Sequence, residues 1–305
     1  MQIADALSTV LSVFLLLLVG YGAKKSGILK PMDTQAVNSI VINLTMPAFI
    51  FISIHNQSID ASMVKAPIVG IVMEFVVLGL AYVAARLLKL NRPTTGGLML
   101  AATFCNSGFL GYPMVAAAFP ADSRAMPTAV MFDEFAMALI LNSVGVAVAA
   151  TFAGRHFQWV SLLEFLKTPL FPTTVLALIL RTTYIPPVIL KTIGFLAAGT
   201  VPLAMISIGL SLSGRSLKKY PAPLAVGFIL KMVALPLLMF AALPLVGVGG
   251  VVKQVTILES AVPTAVVSGV IAGRYGSNEE FVAAAIFVTT LLSVAVIPAA
   301  LILVQ

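Results

Sequence analysis

Long, continuously apolar runs are the feature of this sequence that most restricts its fold. A helix needs about 20 mostly apolar residues to cross about 30 Å of hydrocarbon, and it satisfies its own backbone hydrogen bonds, which lipid cannot do. The runs are too long and too uniform for the short alternating strands of a membrane barrel. The sequence therefore predicts an all-α polytopic membrane protein. We predict ten transmembrane helices, at 5–23, 33–55, 65–88, 94–119, 125–152, 168–186, 191–213, 221–246, 251–274 and 280–304.

The charged residues are too few for a water-soluble chain of this length. Only 10% of the 305 residues are charged and 60% are hydrophobic, whereas a soluble domain has about 25% charged and about 45–50% apolar residues. The net charge of +7 comes from short clusters between the apolar runs, without the basic stripe of a nucleic-acid-binding surface. We therefore expect the lipid bilayer as a partner and no nucleic acid.

Residue types that bind metals or carry out catalysis are sparse. The single cysteine, Cys105, excludes an intramolecular disulfide, and His55 and His156 have no metal-ligand spacing. No HExxH motif, paired acidic metal-binding motif or Ser/His arrangement is present. We therefore expect no metal, no cofactor and no enzyme activity. The segment around Asp5 has no Lys or Arg, which favours a retained first span over a cleavable signal peptide.

Basic residues between the predicted spans indicate how the chain is oriented. The odd-numbered loops contain 12 Lys and Arg residues and the even-numbered loops contain 4. By the positive-inside rule the odd-numbered loops are cytoplasmic. The sequence therefore predicts a multi-pass protein of the plasma membrane, the inner membrane in a bacterium, with both termini outside the cytoplasm.

The longest break between spans divides the chain into two halves. Residues 153–167 are predicted to be a cytoplasmic linker with a short interfacial helix, because the segment is rich in aromatic and apolar residues. Residues 1–152 and 168–305 then form two repeats with five predicted spans each. An odd number of spans forces the second repeat to enter the membrane from the opposite side. The sequence therefore predicts an inverted five-helix repeat.

Each half has a proline-bearing second span and a proline-bearing fourth span. The second span of the first half contains Thr45 and Pro47, and its counterpart in the second half contains Thr200 and Pro202. The next matched prolines follow 66 residues later in the first half and 61 residues later in the second. Prolines are common in membrane helices, but interrupted spans at corresponding positions are typical of transporter binding sites. We predict that these four residues support helix breaks.

The fourth span contains the first half of a candidate substrate site. It reads Asn106-Ser107-Gly108-Phe109-Leu110-Gly111-Tyr112-Pro113, and two glycines and a proline are unfavourable in a straight helix. Pro113 is expected to free the carbonyl of Phe109. Such a backbone group is tolerated at this depth only beside protein or a wet cavity. We predict substrate contacts from Asn106, Ser107, Gly111 and Pro113.

The ninth span contains the second half of the candidate site. It reads Glu259-Ser260-Ala261-Val262-Pro263-Thr264, so we expect Glu259 to lie one turn from Pro263 on the face that the proline breaks. Intramembrane carboxylates are costly, and a functional role is the default hypothesis. The alternative is a neutral Glu259, or one paired with Lys231 or Lys253. We predict substrate contacts from Ser260, Pro263 and Thr264.

Other carboxylates also lie within the predicted spans. Glu259 is a candidate for coupling transport to a proton or another ion, and Glu74 in the third span is a second candidate. Asp133 and Glu134 either line an outer vestibule or lie close to the surface.

The order and spacing of these motifs resemble the auxin efflux carrier family, within the bile acid/auxin carrier superfamily. Its members include plant PIN-type auxin carriers and bacterial carriers for malonate and similar anions. The resemblance covers nearly the whole chain. It implies ten spans in two inverted repeats, broken and crossing helices four and nine, and often a homodimer. The motifs are Leu44-Thr45-Met46-Pro47, Asn106-x6-Pro113 with Gly111, and Ala261-Val262-Pro263 through Arg274-Tyr275.

The resemblance also assigns roles to single residues. It implies that Asn106 corresponds to an asparagine that contacts the substrate carboxylate, and that Pro113 and Pro263 are the prolines of the crossing. Two features depart from the plant carriers. Their long cytoplasmic loop is reduced here to about fifteen residues, and Glu259 has no counterpart that we can assign.

Together these features predict a secondary transporter that moves an organic anion by alternating access. The substrate class is a carboxylate, malonate-like or auxin-like, and the driving force is the membrane potential or protons. A sodium-coupled symporter of the bile-acid type is the alternative, with Na⁺ in place of H⁺. A membrane receptor and an intramembrane enzyme are alternatives of another class. A receptor would not need interrupted helices at matched positions, and the motifs that an enzyme would need are absent.

Overall fold

The computed structural model describes residues 3–155, 166–212 and 216–304, and in these ranges the chain is almost wholly helical. The described residues contain no β-strand. Cys105 and Thr264 form one isolated antiparallel bridge. The predicted interfacial helix falls mainly on residues 156–165, outside the described ranges. The helices are α1 (Ile3–Lys25), α2 (Asp33–Ile54), α3 (Ala61–Leu87), α4 (Arg92–Thr103), α5 (107–118), α6 (Ala125–Phe152), α7 (Leu170–Ile179), α8 (Pro187–Ala198), α9 (Thr200–Ser211), α10 (Pro221–Val246), α11 (Gly250–Ala261), α12 (Val266–Tyr275) and α13 (Glu279–Val304).

The prediction of an all-helical membrane protein is confirmed. Six helical segments of the described chain are long and apolar enough to cross a membrane: α2, α3, α6, α8 with α9, α10 and α13. Helices α4, α5, α11 and α12 are each 12 residues or shorter, which is too short to cross alone. The ten-span inverted repeat therefore stays a prediction.

The fourth predicted span is broken, but not at its proline. Helix α4 ends at Thr103, and α5 begins with a π-helical turn, Ser107–Gly111. Pro113 is the second residue of the α-helical part, Tyr112–Ala118, a position that favours proline. The break therefore lies at the non-helical residues 104–106, and Pro113 lies within the helix that follows.

The ninth predicted span is broken over residues 262–265. Helix α11 ends at Ala261, and Val262 is extended with ψ 157°, as expected for a residue that precedes proline. Pro263 therefore lies outside both flanking helices. The prediction that Glu259 and Pro263 share one helix face is wrong, since the helix ends two residues before the proline.

The matched second spans are distorted rather than broken. Thr45 ends a π-helical turn, and Pro47 is the second residue of the α-helical segment that follows. In the other half a turn at Gly199 separates α8 from α9, and Pro202 lies in the first turn of α9. The two distortions are neighbours, because a Cβ on Gly199 would lie 3.4 Å from Cγ2 of Thr45. Corresponding positions of the two halves therefore meet in space.

Helices α1 and α9 approach each other through two glycines. A Cβ on Gly209 would lie 2.2 Å from the carbonyl oxygen of Leu17, and one on Gly20 would lie 2.3 Å from that of Ile206. Small residues allow such close backbone contact between membrane helices, where lipid removes most of the hydrophobic driving force. This pair of glycines therefore joins the N-terminal helix to the second half of the chain.

We expect Gly209→Ala to destabilise the protein, because its methyl group would overlap backbone atoms that cannot rotate away. Overpacking of this kind costs about 1–3 kcal/mol, which thermal unfolding in detergent would detect. The matched control is Gly79→Ala in α3, where a Cβ would meet nothing within 4 Å. That change should be neutral or stabilising by up to about 1 kcal/mol. Equal melting temperatures for the two variants would contradict the close contact.

Candidate functional site

The two extended breaks cross and hydrogen-bond to each other. The N–H of Asn106 donates to the carbonyl of Pro263 at 2.8 Å, and the N–H of Ala265 donates to the carbonyl of Phe104 at 2.9 Å. A backbone polar group left unpaired in lipid costs several kcal/mol. Each break therefore satisfies the backbone of the other, and the pair forms one structural unit.

Thr264 makes hydrogen bonds to two other segments at the crossing. Its hydroxyl donates to the carbonyl of Ala101 at 2.7 Å, and its N–H donates to Oγ1 of Thr289 at 3.1 Å. The side chain is fully buried, so these bonds form without competition from water. The hydroxyl and the N–H of Thr264 are thus already bonded within the protein.

A cavity of about 270 Å³ lies beside the crossing. Two of the predicted substrate residues, Asn106 and Ser107, form part of its wall. The other predicted substrate residues do not line it. The wall consists of Ile42, Met46, Cys105, Asn106, Ser107, Gly108, Phe109, Asp133, Glu134, Met137, Ala138, Leu141, Asn142, Thr168, Leu170, Ala265 and Val267.

The side chain of Asn106 has an unused hydrogen-bond donor. Its Nδ2 is buried and has no partner among the described residues. Such a group costs about 1–3 kcal/mol if it stays unpaired. Because Asn106 lines the cavity, a ligand atom that accepts a hydrogen bond would remove this cost.

Asp133 and Glu134 also belong to the cavity wall. Their exposed fractions are 7% and 0%, so both side chains are buried inside the protein. Asp133 accepts hydrogen bonds from the hydroxyls of Ser107 and Tyr112, the latter at 2.8 Å. The carboxyl of Glu134 has no hydrogen-bond partner in the described chain. Sequence analysis did not include Asp133, Glu134 or Tyr112 among the site residues, although two adjacent intramembrane carboxylates are a signal for function.

Gly111 provides space for the side chain of Glu259. A Cβ on Gly111 would lie only 1.9 Å from Oε2 of Glu259, so any larger residue there would overlap the carboxyl group. Glu259 is fully buried and neither of its oxygens has a hydrogen-bond partner among the described residues. Gly111 therefore contacts the coupling candidate and not the cavity.

A buried lysine lies next to the end of α11. Lys231 has no exposed surface, and its Nζ donates to the carbonyl of Ser260 at 2.8 Å. Glu74 and Glu259 are within electrostatic reach of this ammonium group, but no salt bridge joins the three among the described residues. Lys253, the other expected partner of Glu259, lies instead over the ring of Phe240, 3.9 Å from its centroid.

Comparison with known proteins places this geometry in context. Residues 5–158 and 154–301 match the family model described as a membrane transport protein. The chain is 33% identical to an uncharacterized transporter of Methanocaldococcus jannaschii, over 95% of this chain and 96% of that protein. It is 31% identical to an uncharacterized transporter of Methanothermobacter thermautotrophicus, over 95% of both chains. It is 27% identical to a protein of Rhizobium meliloti with the name "Putative malonate transporter", over 88% of this chain and 86% of that protein.

Proposed function

The chain belongs to the membrane transport protein family, and we propose that it carries an organic carboxylate of the malonate type by alternating access. Membership confirms the family resemblance and identifies a transporter rather than an enzyme. The name of the Rhizobium meliloti relative supports the substrate class. The observation that carries the proposal is the cavity beside the crossing, with an unpaired donor on Asn106.

Backbone N–H groups support an anion site in this cavity. The first N–H groups of a helix have no intrahelical acceptor, and the helix dipole adds partial positive charge there. Residues 107–109 begin α5 and line the cavity, and Ala265 and Val267 line it at the start of α12. The starts of two helices thus border one space. A dicarboxylate such as malonate is small enough for about 270 Å³.

Two carboxyl groups in the same cavity support the movement of a proton with the anion. Ionised Asp133 and Glu134 would repel a carboxylate substrate. A protonated carboxyl group, in contrast, donates a hydrogen bond, and the oxygens of Glu134 have no partner in the described chain. Entry of a proton would therefore turn a repulsive wall into a binding one. We propose proton coupling on this basis.

The proposal includes the architecture that sequence analysis predicts. Ten spans in two inverted repeats would place the crossing near the middle of the bilayer, and rocking of one part against the other would expose the cavity to each side in turn. Both termini would lie outside the cytoplasm of the plasma membrane. The proposal also includes a homodimer, which the family resemblance implies.

A sodium-coupled symporter is the second candidate. The observation that favours it is a cluster of oxygen atoms at the break, where the Ser107 hydroxyl bonds to Asp133 and lies 3.5 Å from the carbonyl oxygen of Cys105. Hard cations prefer such oxygen ligands. Sodium dependence separates the two candidates.

Transport of labelled malonate and a panel of other carboxylates into proteoliposomes tests the proposal. We expect saturable uptake that increases with an inward proton gradient and that is unchanged when choline replaces sodium. Protein-free liposomes provide the background. Absence of uptake for every carboxylate would contradict the substrate class, and an absolute requirement for sodium would favour the symporter.

A further inference from the structure

A second cavity adjoins the cavity beside the crossing, which we call the first cavity. The second cavity measures about 100 Å³, whereas the first measures about 270 Å³. Ile42, Phe109 and Val267 line both spaces. A side chain that borders two cavities lies between them, so these three residues form a wall that we call the partition.

Two of the partition residues follow the breaks of the crossing. Phe109 belongs to the π-helical turn that begins α5, and Val267 is the second residue of α12. Ile42 comes from the π-helical turn of α2. The position of the partition therefore depends on the hydrogen-bonded pair of breaks and not on one helix alone.

Phe109 supplies most of the partition. Its side chain is the largest of the three and packs, partly buried, against the hydrophobic core. Truncation of such a side chain leaves a space, because the surrounding structure relaxes only partially. Removal of the ring would therefore join the two cavities into one longer space.

Hydrogen-bonding side chains lie on both sides of the partition. Asn38 of α2 and Ser207 and Ser211 of α9 line the second cavity, where the Ser207 hydroxyl donates to Oδ1 of Asn38. Asn106, whose Nδ2 has no partner among the described residues, lines the first cavity. Amide and hydroxyl groups can donate to a carboxylate. A chain with a carboxylate at each end and methylene groups between them matches two polar spaces on either side of an apolar wall.

We propose that Phe109 determines which dicarboxylates the transporter accepts, because its ring closes the first cavity and keeps longer chains out of the second. Malonate has a single methylene group between its carboxyl groups, and succinate, glutarate and adipate have successively more. A longer chain bound at Asn106 would need the space that the ring occupies. This rule for chain length rests on the proposed function, whereas the partition itself does not.

Uptake of labelled malonate, succinate, glutarate and adipate into proteoliposomes tests the rule. We expect the wild-type protein to prefer malonate, and Phe109→Ala to raise the ratio of glutarate to malonate uptake by about tenfold or more, since one methylene group in a fitted pocket discriminates about 10- to 200-fold. The matched control is Phe119→Ala. Phe119 directly follows α5 and is also partly buried against the core, but it lines neither cavity, so its loss should leave the ratio unchanged.

A second variant opens the same wall with a smaller change. Val267 is 39% exposed, and Val267→Ala removes only two methyl groups, so it should raise the glutarate-to-malonate ratio less than Phe109→Ala does. It replaces Phe109→Ala as the test if that variant does not fold. A wild-type ratio in the variant that folds would overturn the role of the partition in selectivity.

Cross-linking tests the partition without any substrate. Cys105, the single cysteine of the chain, lines the first cavity but not the second, whereas Ser211 is exposed and lines only the second. In a Ser211→Cys background, short reagents with two thiol-reactive ends should join the two cysteines with a several-fold higher yield after Phe109→Ala, and with an unchanged yield after Phe119→Ala. No increase after Phe109→Ala would overturn the partition. If the wild-type protein carries none of the dicarboxylates, the proposed function is wrong, while the cross-linking yield still decides whether Phe109 separates the cavities.

Discussion

Replacing Asn106 by alanine is expected to raise the half-saturating malonate concentration by about 10- to 100-fold. Asn106 lines the cavity, its buried Nδ2 has no partner among the described residues, and a hydrogen bond to a charged group contributes about 1.5–3 kcal/mol. Each 1.4 kcal/mol corresponds to about a factor of ten in affinity. The measurement is the initial rate of malonate uptake into proteoliposomes over a range of malonate concentrations.

The matched control for this prediction is Asn43→Ala. Asn43 is exposed, and its amide donates to the carbonyl of Ser39 one turn earlier in the same helix. Its loss should change uptake by less than about threefold, as is usual for surface substitutions within about 0.5 kcal/mol. If Asn106→Ala transported malonate with wild-type affinity and rate, the assignment of the substrate site to the crossing would be wrong.

Gly111→Ala is expected to destabilise the protein strongly, because its methyl group would lie 1.9 Å from Oε2 of Glu259. Overpacking a tight core costs about 1–3 kcal/mol and occasionally more. The cost should lie within this range rather than above it, because the overlapping atom is the end of a rotatable side chain, although Glu259 is fully buried. Thermal unfolding of the purified protein measures this effect.

A second substitution identifies the cause of that loss. Adding Glu259→Ser to Gly111→Ala removes the overlapping atoms, so it should recover most of the lost stability. The matched control is Gly22→Ala, where a Cβ would meet nothing within 4 Å. If the double variant were as unstable as Gly111→Ala alone, the overlap with Glu259 would not explain the destabilisation.

Asn106→Ala and Gly111→Ala change one of two segments that the sequence predicts to be interrupted, although it does not predict their exact limits. It identified the segments 106–113 and 259–264 as interrupted, and both do border a break in the described chain. The exact limits differ, because the breaks depend on hydrogen bonds between residues about 160 positions apart, such as Asn106 and Pro263. Local rules for proline and glycine contain no information about such partners.

Local sequence patterns also could not predict which of the candidate residues line the cavity. Asn106 and Ser107 line the cavity, whereas Gly111, Pro113, Ser260, Pro263 and Thr264 do not. Residues one turn apart on a helix face the same way, but the extended break and the π-helical turn at Ser107–Gly111 change that periodicity. The direction of each side chain therefore follows from the irregular backbone.

The sequence by itself determined that this chain is an integral membrane protein of helices, because 60% hydrophobic and 10% charged residues can be buried only in lipid. It also determined the family and the two interrupted segments, since Gly and Pro act locally. Only the tertiary structure decided that the breaks pair with each other, that Asp133 lines the cavity, and that Lys231 donates to the carbonyl of Ser260 at the end of α11. Those facts depend on packing between distant segments, where the cost of an unpaired polar group in an apolar interior selects the partner.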